Sequence, residues 1–312
     1  MSETTFRSVW IADLHVGSRW AVANPAETPK HCPGKEVQKK LFEKYAEAAA
    51  GPGHRPDALV LLGDAVDGQN RKSAGSDSWT TDIDEQVQHA ADLVRMWDPK
   101  EIYVIGGSKY HVAVGDTGVS AEEMLAQALK AAYYPNQDHL PETRRRRSGP
   151  HWFLTFGNVT VHAAHHVSIA RVFHYMSTPI AREMMQAKLN DPMRGRWETL
   201  YRTALREPRA ELLRTVGLWK TQIVMRGHAH HFWACDAGGS LGIIVPGWKT
   251  PDAFIAERDP LGFSHIGYVT LTFEGTRWQY QKHLYAVEDL RAPPHTVVGA
   301  GAKAAKGRRP RK

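Results

Sequence analysis

Cysteine is scarce: the chain has two in 312 residues, Cys32 and Cys235. That excludes a disulfide framework and a zinc–thiolate cluster. No apolar run is long enough to span a bilayer as a helix, so no membrane partner is expected. No Walker-type Gly-rich loop is present, which excludes P-loop nucleotide chemistry. The N-terminal stretch MSETTFRSVWIADLH has no apolar signal segment, so a soluble intracellular, cytoplasmic protein is the expectation.

Histidine, by contrast, is abundant at 17, beside a formal charge of +7. The charge is unevenly placed. Residues 297–312 read VVGAGAKAAKGRRPRK and carry six basic residues and no acidic one, so removing them from +7 leaves +1 for residues 1–296. This Gly/Ala-rich tail has no buryable pattern and reads as a disordered basic arm that could contact nucleic acid, following one domain over 1–296. A second basic cluster, Arg144–Arg147, is either a solvated loop or the phosphate-contacting rim of a site. Neither cluster has the interleaved aromatics of a nucleic-acid-binding module.

Several apolar runs stop at polar, ligand-type residues. Ser8–Ala12 leads to Asp13-Leu14-His15, Ala58–Leu62 to Gly63-Asp64, Glu101–Ile105 to Gly106-Gly107-Ser108, and Gln222–Met225 to Arg226-Gly227-His228. Each reads as a buried strand emptying into a functional loop. Helices are expected over Lys35–Ala50 and Asp82–Trp97, and this alternation argues an α/β fold. His151–Phe156 and Val159–Ala164 read as a hairpin across Gly157-Asn158. The stretch from Val167 to about Leu213 reads as helical, broken near Pro179 and near Asp191-Pro192. Strands return at Gly242–Val245, Gly267–Phe273 and Arg277–Tyr285.

Asp13 and His15 lie two apart at a strand end, so the period of two predicts that both point to one side. Asp64 follows a glycine at the next strand end, with Asp67 three residues on, and a carboxylate can bridge two cations. Gly227-His228-Ala229-His230 can project two imidazoles from one loop. His165, just past the hairpin, is a better ligand candidate than His162, which reads as a strand residue; His166 is a further ligand or substrate-facing group. His111, past the third strand, could donate a proton or stabilise an oxyanion. His and Asp at four strand ends, without thiolates, suit two divalent cations: manganese first, with iron or zinc as alternatives. Such a pair activates water and neutralises phosphoryl oxygens for in-line attack on a phosphoester.

With these pieces the chain resembles the calcineurin-like metallophosphoesterases. The matching residues are Asp13-x-His15, Gly63-Asp64 with Asp67, the loop ending in His111, His165-His166 and Gly227-His228-x-His230, in the family's order. The resemblance implies a four-layer α/β sandwich with two central mixed β-sheets flanked by helices. It implies that Asp13, His15 and His230 hold one metal, that Asp64 bridges, and that His165 and His228 hold the second. His111 and Asp67 are the implied catalytic groups, His111 as general acid or charge stabiliser. The strands from 242 to 285 would complete the second sheet. The third motif departs from the family's Gly-Asn-His. Here Gly107-Ser108-Lys109-Tyr110-His111 lacks the amide ligand, leaving Ser108 or a water to fill the position, as in a divergent branch among phage and bacterial members.

Candidate rim residues are Trp20, Lys30, His31, Trp79, Lys109, Arg144, Arg145 and the rest of the arginine run, His174 and Tyr175, with Trp248 and Lys249 at the cleft mouth. The expectation is a phosphodiesterase or phosphatase acting on a phosphoester, with nucleotides or nucleic acid favoured by charge. The contrasting expectation is a non-catalytic metal-binding interaction protein on the same fold. An amidohydrolase is disfavoured by the absence of a leading His-x-His strand.

Overall fold

The computed structural model describes residues 5–32, 34–69, 75–108, 111, 119–169, 175–189, 221–236, 239–251, 264–275 and 277–286. The basic tail, Lys109, His174 and most of the expected helical stretch after residue 189 lie outside them.

Strand β1 (Phe6–Ile11) sits in the middle of a six-stranded sheet. It pairs in parallel with β2 (Ala58–Leu61), which continues to β3 (Glu101–Ile105) and the two-residue β4 (Ser148–Gly149). On its other side it pairs antiparallel with β10 (Ile266–Glu274), which carries the edge strand β11 (Arg277–Tyr285). The second sheet runs β5-β6-β7-β9-β8, from the hairpin β5 (His151–Phe156) and β6 (Val159–Ala164) through β7 (Thr221–Arg226) to β9 (Leu241–Ile244) and β8 (Trp233–Asp236). Parallel and antiparallel pairs occur in both sheets.

Each layer follows from which faces are apolar. Along β1, Val9 and Ile11 turn toward the helices while Trp10 and Ala12 turn toward the second sheet. Both faces are covered, so the strand reads as a continuous apolar run. Helix α1 (Lys35–Ala50) buries Val37, Leu41, Tyr45 and Ala48, a 3–4 spacing that forms one face. Helix α2 (Ile83–Arg95) does the same with Val87, Ala90, Ala91 and Val94, and Asp82 caps it by accepting from the amides of Asp84 and Glu85. Helix α3 (Ala121–Ala128) is capped by Ser120. These three helices cover the first sheet. Between the sheets, Trp10, Val60, Val269 and Leu271 meet Leu154, Val161, Ile223 and Ile243. On the far side, Ile180 of α4 (Thr178–Leu189) packs on Val224 and Ile244. The order is helices, sheet, sheet, helix: the four-layer sandwich. Pro179 does not interrupt α4 but occupies its first turn, where a missing N–H costs nothing.

One expectation is overturned. Of the strands between 242 and 285, β9 joins the second sheet, but β10 and β11 extend the first. The reason is burial: Val269, Leu271 and Phe273 face the second sheet while Ile266 and Tyr268 face the helices. A strand apolar on both sides needs an interior place, and the free flank of β1 provides it.

β1, β2 and β3 are mutually parallel, as are β6 and β7. Their carboxyl ends are where the ligand-type residues stand, the usual location for a site in such sheets.

Candidate metal centre

The ligand-type residues do not lie on strands. β1 ends at Ile11, and Asp13 and His15 follow in left-handed backbone, with φ of 52° and 45°. The convergence expected from strand alternation therefore arises from loop conformation instead. Asp64, His228 and His230 are left-handed too, with φ of 47°, 71° and 53°. Each such residue costs about 1–2 kcal/mol relative to a right-handed one. Backbone bonds hold the conformation: Asp13 N–H donates to Gly63 O at 3.2 Å, His15 N–H to Asp64 O at 2.9 Å and Val16 N–H to Ala65 O at 3.0 Å. The parallel pairing of β1 with β2 thus continues past the strand ends. Gly63, at φ 81°, sits where a side chain would lie 2.7 Å from Gly107 Cα and 2.9 Å from the His165 ring. Only glycine permits that approach.

Four donor sets converge, in each of which the ligand atoms lie within 4.8 Å of one another: Asp13/His15/His230, His165/His166/His228, Asp13/Asp64/His165 and His15/Asp64/His111. Asp64 lies between the two histidine groups, with Oδ2 4.0 Å from His15 Nε2 and 3.0 Å from His165 Nε2. His15 and His230 approach Nε2 to Nε2 at 3.2 Å, and Asp13 Oδ1 is 3.8 and 3.6 Å from those nitrogens.

Partners behind the ligands set the ring tautomers. His15 Nδ1 faces Asp67 Oδ1 at 3.2 Å, so its Nε2 is the nitrogen offered to the cluster. His165 Nδ1 donates to Leu62 O at 2.7 Å, again leaving Nε2. This backing of ligand rings by carboxylate or carbonyl is typical of metal sites. Asp67 therefore stands behind His15 rather than beside the cluster opening. His111 Nδ1 donates to Asp67 O at 2.9 Å, and its ring meets His15 edge-on with centroids 4.5 Å apart. Ser108 is spent on Asp64: its N–H donates to Oδ1 at 2.6 Å and its hydroxyl to Oδ2 at 3.1 Å. It anchors the carboxylate instead of replacing the missing amide.

The residues present fit divalent cations. Asp13 Oδ1 is buried and makes no hydrogen bond, while His165 Nε2, equally buried, faces Asp64 Oδ2 at 3.0 Å. A buried carboxylate oxygen left without a partner is costly unless a ligand satisfies it. The electrostatics agree. Burial pushes the Asp13 carboxyl up to about 7, against the pull of His165. Burial also works against the charges of Asp64 and His165, but each outweighs it for the other: Asp64 is held well below the usual carboxylate range and His165 rises to about 9. Burial first, and then the Lys249 ammonium, lowers His15 and takes His230 to about 3. Burial, followed by the His165 charge, takes His228 to about 4. The Asp64 carboxylate and the His165 imidazolium thus hold each other charged, while the His15, His228 and His230 rings are neutral and ready to coordinate.

Other expected residues fall elsewhere. His162 lies on the α4 side of the second sheet, stacked on Phe153 at 4.5 Å and facing Arg226 and His151, away from the centre. Trp248 does not line a cleft mouth but is fully buried against Tyr45. Lys249 is buried too, with Nζ 3.3 Å from Asp67 Oδ1. Trp20 and Trp79 pack against the helix-side core, while Lys30, His31 and Tyr175 are exposed. Cys32 and Cys235 form no disulfide among the described residues. Among the described residues, no helix is long and apolar enough to cross a membrane.

Glu122 was not foreseen. Its side chain is fully buried, neither oxygen is hydrogen-bonded, and Oε1 would lie 2.9 Å from a side chain at Gly107. An acidic pair in a helix's first turn ordinarily reads as dipole compensation, which concealed it.

No family model matches the chain, and no curated protein matches it. Solved structures of similar shape include zinc-complexed Vps29 from Entamoeba histolytica (10% identity, 89% of this chain and 99% of that one, TM-score 0.36). Others are a predicted phosphoesterase from Streptococcus pneumoniae (10%, 87% and 84%, 0.31) and an archaeal phosphodiesterase (8%, 89% and 100%, 0.39). At TM-scores this low these likenesses carry no argument about function, which rests on the chain's own side chains.

Proposed function

We propose that the protein is a metal-dependent phosphoester hydrolase of the calcineurin-like metallophosphoesterase type, a phosphodiesterase before a phosphatase. The observation that carries this reading is the pair of donor sets, Asp13/His15/His230 and His165/His166/His228, on either side of Asp64, with Asp13 Oδ1 buried and without a hydrogen bond. Two divalent ions, manganese before iron or zinc, would supply Lewis acidity and water activation for in-line displacement at phosphorus.

The chain's own residues do the rest. Asp67 and Leu62 O fix the rings of His15 and His165 so that their Nε2 atoms face inward. Ser108 fixes both oxygens of Asp64, which keeps that carboxylate in one orientation between the two donor sets. His111 is held beside Asp64 and His15 through its bond to Asp67 O, where it serves as the proton donor to the leaving oxygen. Nucleotides or nucleic acid are the favoured substrates on the charge of the arginine run and of the tail.

The test is hydrolysis of bis(p-nitrophenyl) phosphate in Mn(II), with metal content measured on the same sample. Asp64→Asn should lose well over the roughly 10–100-fold that loss of an outer-shell partner costs. Unchanged turnover in that variant refutes the dimetal reading. One feature favours the competing reading, a metal-binding protein without turnover: Ser108 anchors Asp64 and leaves the second donor set without its amide. Full metal content with no ester hydrolysed would establish it.

A further inference from the structure

At the β4 edge of the first sheet lies a cavity of about 240 Å³ lined by Arg144, Arg145 and Arg146 on one side and by Ser120, Glu123 and Gln127 of the α3 region on the other. Its charge is balanced only in part: Arg145 pairs with exposed Asp138 at 3.8 Å. Among the described lining residues Glu123 is the acidic one, and its carboxylate is already taken up. It accepts from the amides of Arg147 and Ser148 at 2.9 and 2.8 Å and from the Ser148 hydroxyl at 2.7 Å. Arg145 is tethered, donating to Leu140 O at 3.0 Å and Asp138 O at 3.2 Å. Arg144 and Arg146 are exposed, and neither guanidinium has a partner among the described residues. Two guanidiniums without a partner among the described residues at one cavity, with the Glu123 carboxylate turned onto Arg147 and Ser148, favour an anion, and their planar forks match phosphate oxygens.

The cavity is physically tied to the metal cluster. Ser148, at its edge, pairs with Val104 on β3, the strand that leads to Ser108 and so to Asp64. In the first turn of α3, Glu122 faces the Asp64 side and Glu123 faces the cavity. From β2, which delivers Asp64, to β4 is two strand spacings, about 10 Å.

We propose that this cavity binds a backbone phosphate of the substrate one or more nucleotides away from the scissile ester. The proposal rests on the phosphoesterase reading and narrows its substrates to oligonucleotides, because the phosphates of a nucleoside polyphosphate lie too close together to reach both places. The arginine run thereby acquires a role as a binding subsite.

The experiment is binding of a fluorescein-labelled single-stranded oligonucleotide to the full chain in EDTA, by anisotropy across a salt series. Arg144→Ala/Arg146→Ala is compared with Arg55→Ala/Arg95→Ala, which removes the same charge from exposed arginines elsewhere. The first double variant should bind about tenfold more weakly, with a salt slope shallower by about 1.4, two contacts at roughly 0.7 each for a single strand. The second should change the slope little. Equal loss in both, or no loss in the first at an unchanged melting temperature, overturns the proposal. Competition by a nucleoside diphosphate in the unsubstituted protein should be weak, and full displacement at equimolar concentration overturns the assignment to a polymer. Binding is read without metal, so its failure is distinct from failure of hydrolysis, which is read on the small diester.

Discussion

Glu122 allows a quantitative test of the buried electrostatics. Burial, reinforced by the charge of Asp64, raises its carboxyl from 4.5 to about 8, and the backbone amides nearby offset little of this. The span is roughly 3.5 decades of proton affinity, or about 5 kcal/mol at 1.36 per decade. The sign follows from linkage. Above pH 4.5 the unfolded chain ionises Glu122 freely while the folded chain resists. Stability is therefore fully present below 4.5, is lost as pH rises toward about 8, and stays low beyond. Gln cannot ionise and has nearly the same shape. In urea unfolding with EDTA, Glu122→Gln should match the parent within about 1 kcal/mol at pH 5. At pH 9 it should exceed the parent by about 2–5 kcal/mol, the lower end allowing for local relaxation. A difference that does not change with pH, or a variant weaker than the parent at pH 9, refutes the reasoning, because either result means that Glu122 is ionised and partnered in the folded protein.

Two further outcomes follow from the packing around the cluster. A methyl at Gly107 would overlap Asp64, so Gly107→Ala should weaken manganese binding about 10–100-fold by calorimetry while the far-ultraviolet dichroism stays unchanged; unaltered affinity would contradict the position given to Asp64. Lys249→Met removes the ammonium from a buried carboxylate and should cost about 3 kcal/mol in urea unfolding, with Lys249→Arg recovering part of it; a neutral Met variant would show that Asp67 does not depend on that charge.

The layered architecture was legible where residues repeat a period. β3, α1 and the hairpin strands fall where apolar runs and Lys35–Ala50 predict them. β4 has no signature in the sequence, because two residues beside four arginines leave no period to detect, and its pairing to β3 is decided by the fold. The destination of β10 depended on which flank of β1 was free, a property of the whole sheet that no local pattern carries. At the site, the ligand-type residues were legible because each follows a strand. Their orientation was not, because φ near 50° is invisible in Asp-x-His. Lys249 was misplaced because a lysine beside a tryptophan normally marks a rim. Here the bond from Trp248 N–H to Asp13 O draws the segment inward, and Asp67 receives the ammonium.

The left-handed backbone under Asp13, His15, Asp64, His228 and His230 has a consequence for how such a centre can change over time. Those positions accept a narrow alphabet: glycine, asparagine, aspartate and histidine tolerate the conformation, whereas β-branched residues are barred from it. Loss of a ligand at any of the five can therefore pass through Asn without disturbing the chain path, while replacement by Thr or Val would have to rebuild the loop. The conformation filters inheritance before coordination chemistry does, so that a descendant which has lost its ligands would still carry the outline of the centre in small polar residues at these five places.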